Sequence, residues 1–261
     1  MPRPRAITSQ AVKDFARKQD VDMVGVTSVE ALEKVWTRKK ADSVLPGARS
    51  VVVFGMMMPA GAIESPSDRV TTAHGHTMYE ELSRVSYQIA RFLERGGSRS
   101  SAVPTHIPIE MSRETKGLVG EISFKHAALA AGLGVGGKSC LLLTPEWGPR
   151  IRLSAVVTEA VLEPDSMLKD DYCGDCHLCI DACPTGAILP GKKVDSVKCV
   201  IHLNKYGLPQ FRSFLGDLLS KSSEEQQRAL NDPYFWSLYQ SITVGFNYGC
   251  TRCLEVCPVG R

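Results

Sequence analysis

No run of apolar residues in this chain of 261 approaches the length needed to cross a bilayer. The opening stretch MPRPRAITSQAVKDFARKQD carries arginines but no apolar segment behind them. Neither a secretory nor a twin-arginine signal is expected, and the expected location is the cytoplasm, with no membrane partner. Charge of one sign is also scarce. Lys and Arg number 31 against 28 Asp and Glu, a formal net charge of +3, and runs such as TRKK are short. That argues against a polybasic nucleic-acid arm. Low-complexity segments are missing too. An apolar fraction of 43% with 23% charged residues is that of an ordinary globular chain, long enough for one large or two modest domains.

What stands out is cysteine. There are nine, and eight of them lie between Cys173 and Cys257. Clustered cysteines in a chain without an export signal read as metal or redox ligands before disulfides.

Upstream of them the pattern is mixed α and β. TSQAVKDFARKQD has Thr8 or Ser9 as N-cap and Val12, Phe15 and Ala16 on one face, a helix. VDMVGVTS is a strand, and ARSVVVFGMMMP is a buried strand ended by Pro59. HTMYEELSRVSYQIARFLERGG is the clearest helix, capped by Thr77 and closed by Gly96 and Gly97. SAVPTHIP is extended, and EISFKHAALAAGLG is a second helix. KSCLLLTP and RIRLSAVVTEAV are strands expected to form a hairpin around PEWGPR, with Cys140 a buried strand residue. The composition changes near Pro164, which predicts two domains, 1–165 and 166–261. Helices are expected over about 205–242, with Ser222 and Glu225 in capping-box register.

CGDCHLCIDACP, from Cys173 to Pro184, is C-x2-C-x2-C-x3-C-P, the ligand run of two-cluster bacterial ferredoxins. Zinc is the alternative, but zinc ribbons pair two C-x2-C hooks. In the ferredoxin run the fourth cysteine serves the other cluster, so a second set of ligands must exist. NYGCTRCLEVCP supplies Cys250, Cys253 and Cys257, with Asn247 where a full run would begin. Cys199 is the one candidate for the missing ligand. Cys173, Cys176, Cys179 and Cys257 then hold one [4Fe–4S] cluster, and Cys183, Cys199, Cys250 and Cys253 the other. Eight thiolates serve two clusters, with none left over.

These stations, with LPGARSVVVFG and HAALAAGLGVGGKSCLLL before them, resemble the epoxyqueuosine reductases and their relatives the reductive dehalogenases. The detached Cys199 is the most specific part of the likeness. The resemblance implies an α+β chain: a nitroreductase-like α/β corrinoid-binding domain, then a ferredoxin-like double [4Fe–4S] module. It implies an oxidoreductase in which electrons pass through both clusters to a base-off cobalamin, with a flavodoxin or ferredoxin as donor. Two departures qualify it. Leu118 stands where the family carries an acidic proton donor, leaving Glu121, His126 or Tyr79 as substitutes. The family also continues into helical repeats that grip tRNA, whereas this sequence ends at Arg261. The expected substrate is therefore an unidentified small molecule, with nucleic acid disfavoured. The alternatives are a corrinoid-reducing or corrinoid-processing protein, an epoxyqueuosine reductase acting on tRNA, and a plain two-cluster electron carrier.

One match points elsewhere. In GLGVGGKSC, Gly132, Gly137, Lys138 and Ser139 fit the phosphate-loop pattern G-x4-G-K-[ST]. A phosphate loop follows a strand and opens a helix, and here the predicted order is reversed. No ATPase activity is expected. Gly134, Gly136, Gly137, Lys138 and Ser139 become candidates for contact with the corrinoid. His74 and His76, predicted in a loop leading into the helix, form an H-x-H pair without further ligands.

Overall fold

A computed structural model describes residues 7–115, 117–244 and 249–261. Asn247 lies outside them. Helix α1 (Ser9–Arg17) starts under Thr8, whose hydroxyl accepts from the Ala11 N–H at 3.2 Å. Strand β1 (Met23–Ser28) runs into α2 (Val29–Val35), with Ser28 as its cap. Then come β2 (Ser50–Met57), α3 (Ala60–Ile63), α4 (Asp68–Arg95), β3 (Ser100–Ala102), α5 (Phe124–Ala130), β4 (Val135–Gly136), β5 (Leu142–Leu143) and β6 (Ile151–Thr158).

The main sheet has the order β1-β2-β6-β3 and is antiparallel throughout. The apolar run of β2 does not alternate with polar residues because both its faces are covered. Val51 and Val53 join Leu32, Trp36, Ala127 and Ala128 on the side of α2 and α5. Val52 and Phe54 point the other way, onto Leu82, Val85 and Ile89 of α4. Each such fully buried side chain contributes about 1.5–3 kcal/mol.

Beyond β6 the chain changes character. The short elements α6 (Leu178–Asp181), β7 (Ile188–Leu189) and β8 (Lys193–Val194) lead into α7 (Ser196–Leu203), α8 (Leu208–Leu219), α9 (Ser223–Asn231), α10 (Pro233–Val244) and α11 (Arg252–Glu255). The expected capping box is present: Ser222 accepts from the Glu225 N–H, and the Glu225 carboxylate accepts from the Ser222 N–H. At the start of this region Asp165 is tied back to the sheet. It pairs with Lys13 and accepts from the Val26 N–H at 2.9 Å.

Three expectations change. Helix α4 begins at Asp68, well before Thr77, so His74 and His76 lie inside it and not in a loop ahead of it. Gly75 reads as a breaker, but Thr71 and Thr72 are buried, and the Thr71 hydroxyl donates to the Ala62 carbonyl at 2.7 Å. Packing there outweighs the glycine penalty of about 1 kcal/mol. The predicted hairpin splits: β5 pairs with β4, β6 pairs with β2 and β3, and only a Thr144–Gly148 bridge joins the two near the turn. Cys140 is half-buried at the turn before β5, with a left-handed φ of 58°, and its thiol donates to the Lys192 carbonyl at 3.0 Å.

Candidate functional site

The fold brings the eight clustered cysteines together in two groups. Burial, followed by the nearby charges of Cys173, Cys257 and Cys176, pushes the Cys179 thiol up. Cys257 is likewise raised by burial, with Cys173 and Cys176 adding to it and Arg150 opposing. In the second group, Cys199 is raised by burial and by Cys250 and Cys183. Cys253 is pushed up to about 12 by burial and by Cys250, Cys199 and Cys179. Cys253 thus stands beside a member of each group. Crowded thiols resist ionisation until a cation sits among them, which is the behaviour of a ligand set.

Two details fit the sulfurs to a cluster. A narrow cavity is lined by Cys173, Cys176, Cys179, Cys253 and Cys257. Backbone N–H groups point at sulfur: Lys138 N–H at Cys173 Sγ, 3.4 Å, and Ala187 N–H at Cys183 Sγ, 3.3 Å. Burial opposes ionisation of Cys183, but N–H groups of Thr185, Ile188 and Ala187 with the Thr185 hydroxyl together hold its thiol low. Among the described residues no three ligating side chains converge on a single ion; a four-iron cluster needs its thiolates spread around it.

The GLGVGGKSC segment contributes Lys138 and Ser139 to the wall of this cavity. Gly132 ends α5 in a left-handed conformation, φ 67°, where a Cβ would strike the Ser166 carbonyl. A Cβ on Gly134 would strike the Leu143 carbonyl, so close pairing of β4 with β5 explains that glycine. Gly137 abuts the Leu143 side chain, while Gly136 faces open space. No helix follows to receive a phosphate, in keeping with the reversed order. Lys138 and Ser139 line the cysteine cavity. The Lys138 ammonium group donates to the Gly174 and Cys176 carbonyls at 2.7 and 2.9 Å. The Lys138 side chain is thus engaged with the cysteine loop.

The far side of the same segment lines a cleft of about 640 Å³. Cys140, Leu141 and Leu142 form one wall, and Tyr79, Thr105, Lys125 and Arg152 face them. Of the three candidate proton donors, only Tyr79 is there. Glu121 is held by Lys39, whose ammonium lies 3.1 Å from both its oxygens and 2.8 Å from Glu110. The hydrogen bonds with Glu110 and then Glu121 raise the Lys39 pKa against a desolvation cost. The His126 ring pairs through Nδ1 with the Ser123 hydroxyl at 2.6 Å, and burial, then Lys125, holds its pKa low. Neither lines the cleft. Leu118 is 39% exposed.

Two residues that touch Tyr79 escape the sequence patterns: Arg152 in the cleft lining and His106 beside it. His106 stacks on Tyr79, with ring centroids 4.8 Å apart and planes 11° apart. The Arg152 guanidinium lies 5.4 Å from the Tyr79 centroid, and its Nε is buried without a hydrogen-bond partner. Arg152 interrupts the apolar β6 run RIRLSAVV, the one signal that could have marked it.

The C-terminal cysteine segment is tied to the start of β6 and to α3. The Arg150 guanidinium donates to the carbonyls of Leu254, Cys257 and Val259. Thr251 Oγ1 donates to the Ile63 carbonyl at 3.3 Å.

Comparison with known proteins agrees with this geometry. Residues 172–260 match the family described as a 4Fe-4S double cluster binding domain. The epoxyqueuosine reductase of Bacillus cereus is 28% identical over 226 residues, covering 86% of this chain and 51% of the relative. The chain spans about half the length of the curated relatives it matches. An epoxyqueuosine reductase solved with a tRNA-Tyr stem loop superposes with a TM-score of 0.60 at 21% identity, over 96% of this chain and 64% of that one. A reductive dehalogenase whose structure suggests a mechanism for B12-dependent dehalogenation gives 0.60 at 16%, over 94% and 37%. The resemblance seen in the motifs and the α+β fold with its double [4Fe–4S] module are borne out.

Proposed function

We propose that this chain is a corrinoid-dependent iron–sulfur reductase. One observation carries the reading: the segment Lys138–Leu143 has the cysteine cavity on one side and the cleft on the other. A cofactor in the cleft would be one hairpin away from the cluster of Cys173, Cys176, Cys179 and Cys257. A bound base-off cobalamin would supply the two-electron chemistry there. Arg152 supports the fit, as a guanidinium in the cleft lining with no carboxylate paired to it among the described residues.

The second cluster, on Cys183, Cys199, Cys250 and Cys253, is where electrons enter. Cys250 lines an open groove with His202, Lys205 and Arg252, the two cations paired with Asp68 and Glu255 of the same groove. A flavodoxin or ferredoxin docking there would bring its electrons to this cluster. The chain's own residues hold the clusters, exclude water behind Leu141 and Leu142, and offer the Tyr79 hydroxyl as proton source.

The substrate supported best is the epoxide of an epoxyqueuosine-bearing tRNA, ahead of a free small molecule. Relatives are named for that reaction, and one was solved with a tRNA stem loop. Net charge and the position of Arg261 gave weaker grounds against nucleic acid. The epoxide takes two electrons and two protons and leaves an alkene and water. A second reading, reduction of a corrinoid for another protein, is favoured by Leu118 and by the capture of Glu121 on Lys39.

Anaerobic purification with cobalamin tests the proposal. About eight iron and eight sulfide per chain should accompany a retained base-off corrinoid in the visible spectrum. Full iron with no retained corrinoid would leave only an electron carrier. Turnover of an epoxyqueuosine stem loop by the reduced holoprotein separates the two corrinoid readings.

A further inference from the structure

The cleft wall carries a charge that no carboxylate among the described residues balances. Arg152 projects from β6 into the lining, its Nε is buried and unpartnered, and among the described residues no carboxylate is in ion-pair contact with it. It lies against the face of Tyr79. A guanidinium partly withdrawn from water without a counter-charge is unfavourable, and a cation–π contact offsets only part of that. Two imidazoles lie near it. His106 stacks on the same tyrosine. His76 and Arg152 both act electrostatically on His106. Glu80, next to Tyr79 in sequence, sits 3.5 Å from His76 on the same helix.

The wall is also built before any ligand arrives. Thr105 Oγ1 meets Ser154 Oγ at 3.0 Å, and Ser154 meets Ser86 Oγ at 2.7 Å in the core. The Val103 N–H donates to the Ala155 carbonyl at 3.0 Å. These contacts bolt the segment ahead of His106 to β6 and α4, so the imidazole is preorganised beside Arg152.

We propose that Arg152 and His106 form a subsite for a phosphate oxyanion at the Tyr79 end of the cleft. The planar guanidinium fork matches two oxygens of such a group. A carboxylate would be filled by the fork alone. A phosphate has a further oxygen for the His106 ring N–H. Two phosphodiesters could seat there: that of the corrinoid nucleotide loop, or that of the substrate's sugar–phosphate backbone. The choice of source rests on the proposed function; the subsite rests on Arg152 and its surroundings.

The subsite should be coupled to protons. Burial, then His76 and Arg152, holds His106 below its usual pKa. The groups facing it are His76 and Tyr79 from α4 and Arg152 from β6. An oxyanion on Arg152 cancels the repulsion, so His106 takes up a proton on binding. Affinity should therefore rise as pH falls through the His106 titration.

The test uses iron–sulfur-loaded protein without corrinoid, titrated with inorganic phosphate while the His106 imidazole is followed by NMR. Phosphate should shift its signal and raise its titration midpoint. Arg152→Gln should weaken phosphate by about tenfold or more, as loss of a charge-assisted pair does. Arg152→Lys should restore only part, and unchanged iron content would show that both variants are folded. No phosphate response, an equal response to chloride or acetate, or full binding by Arg152→Gln would overturn the subsite. A second arm assigns the source. If the corrinoid supplies the phosphate, Arg152→Gln weakens cobalamin but not cobinamide, which lacks the nucleotide phosphodiester. If the substrate supplies it, both corrinoids bind as before and a nucleoside monophosphate displaces inorganic phosphate. Because the first arm contains no corrinoid, failure of the subsite and failure of the corrinoid reading give different results.

Discussion

Arg150→Met should loosen the joint between the cysteine loops and the sheet, and the structure sets the size of the effect. Arg150 immediately precedes β6, and its guanidinium donates to three carbonyls of the C-terminal segment, those of Leu254, Cys257 and Val259. Hydrogen bonds involving a charged group are worth about 1.5–3 kcal/mol each. Three at the lower end give about 4–5 kcal/mol. Leu254 is buried, but Cys257 and Val259 are half-buried, so water would recover part of that. About 2–3 kcal/mol should remain. Methionine keeps much of the volume, so lost packing contributes little. Cys257 carries one of the three carbonyls and is also a proposed ligand of the cluster nearest the cleft. The loss should therefore show at that cluster first. The assay is anaerobic iron release to a chelator, followed by the decay of the cluster absorbance. The variant should release about half of its iron faster than wild type, in one resolved phase, with a lower denaturation midpoint. Equal release from both clusters, or an unchanged midpoint, would refute the idea that Arg150 clamps the Cys257 loop.

Cys199→Ala should remove or convert the cluster of Cys183, Cys250 and Cys253 and spare the other, so that about four of eight iron atoms are lost; unchanged iron content would refute the ligand assignment. Acid should destabilise the fold through its half-buried histidines. His126 is held below its ordinary 6.5, first by burial and then by Lys125. Above 6.5 both states are neutral and the residue contributes nothing. Below it the unfolded chain binds the proton first, so stability falls as pH drops toward the folded value and then levels. His126→Gln should flatten that drop in thermal midpoints measured between about pH 7.5 and 5.5, and an unchanged slope would show that the proton is taken up elsewhere.

The cysteine module could be read in the sequence because its ligands are spaced by the geometry of a cluster. Cys173 to Pro184 is a local pattern, and the long jump to Cys199 and Cys250 followed from counting thiolates. The local signals at Thr8 and Ser222 held for the same reason, since a cap needs only a few consecutive residues. Longer-range arrangements were harder to see. The turn PEWGPR looks like a hairpin, yet β6 goes to the centre of the sheet because β2 and β3 offer it more partners than β5 does. Gly75 looks like a boundary, yet burial of Thr71 and Thr72 carries α4 back to Asp68.

The cleft was illegible for a stronger reason. Tyr79 comes from α4, His106 from a loop beyond β3, and Arg152 from β6, and no period or spacing relates them. Glu121 and His126 looked better in sequence because they lie near Leu118, where a proton donor was sought. In the fold each of them is engaged elsewhere, Glu121 with Lys39 and His126 with Ser123. Both contacts lie away from the cleft lining. The cleft-side groups carry no such commitment. Tyr79 contacts the His106 ring and the Arg152 guanidinium, and Arg152 lines the cleft with no carboxylate paired to it among the described residues. Proton supply and ligand charge would then be handled on the α4–β6 side of the cleft, while electrons arrive from the opposite wall, through the hairpin that resembled a phosphate loop.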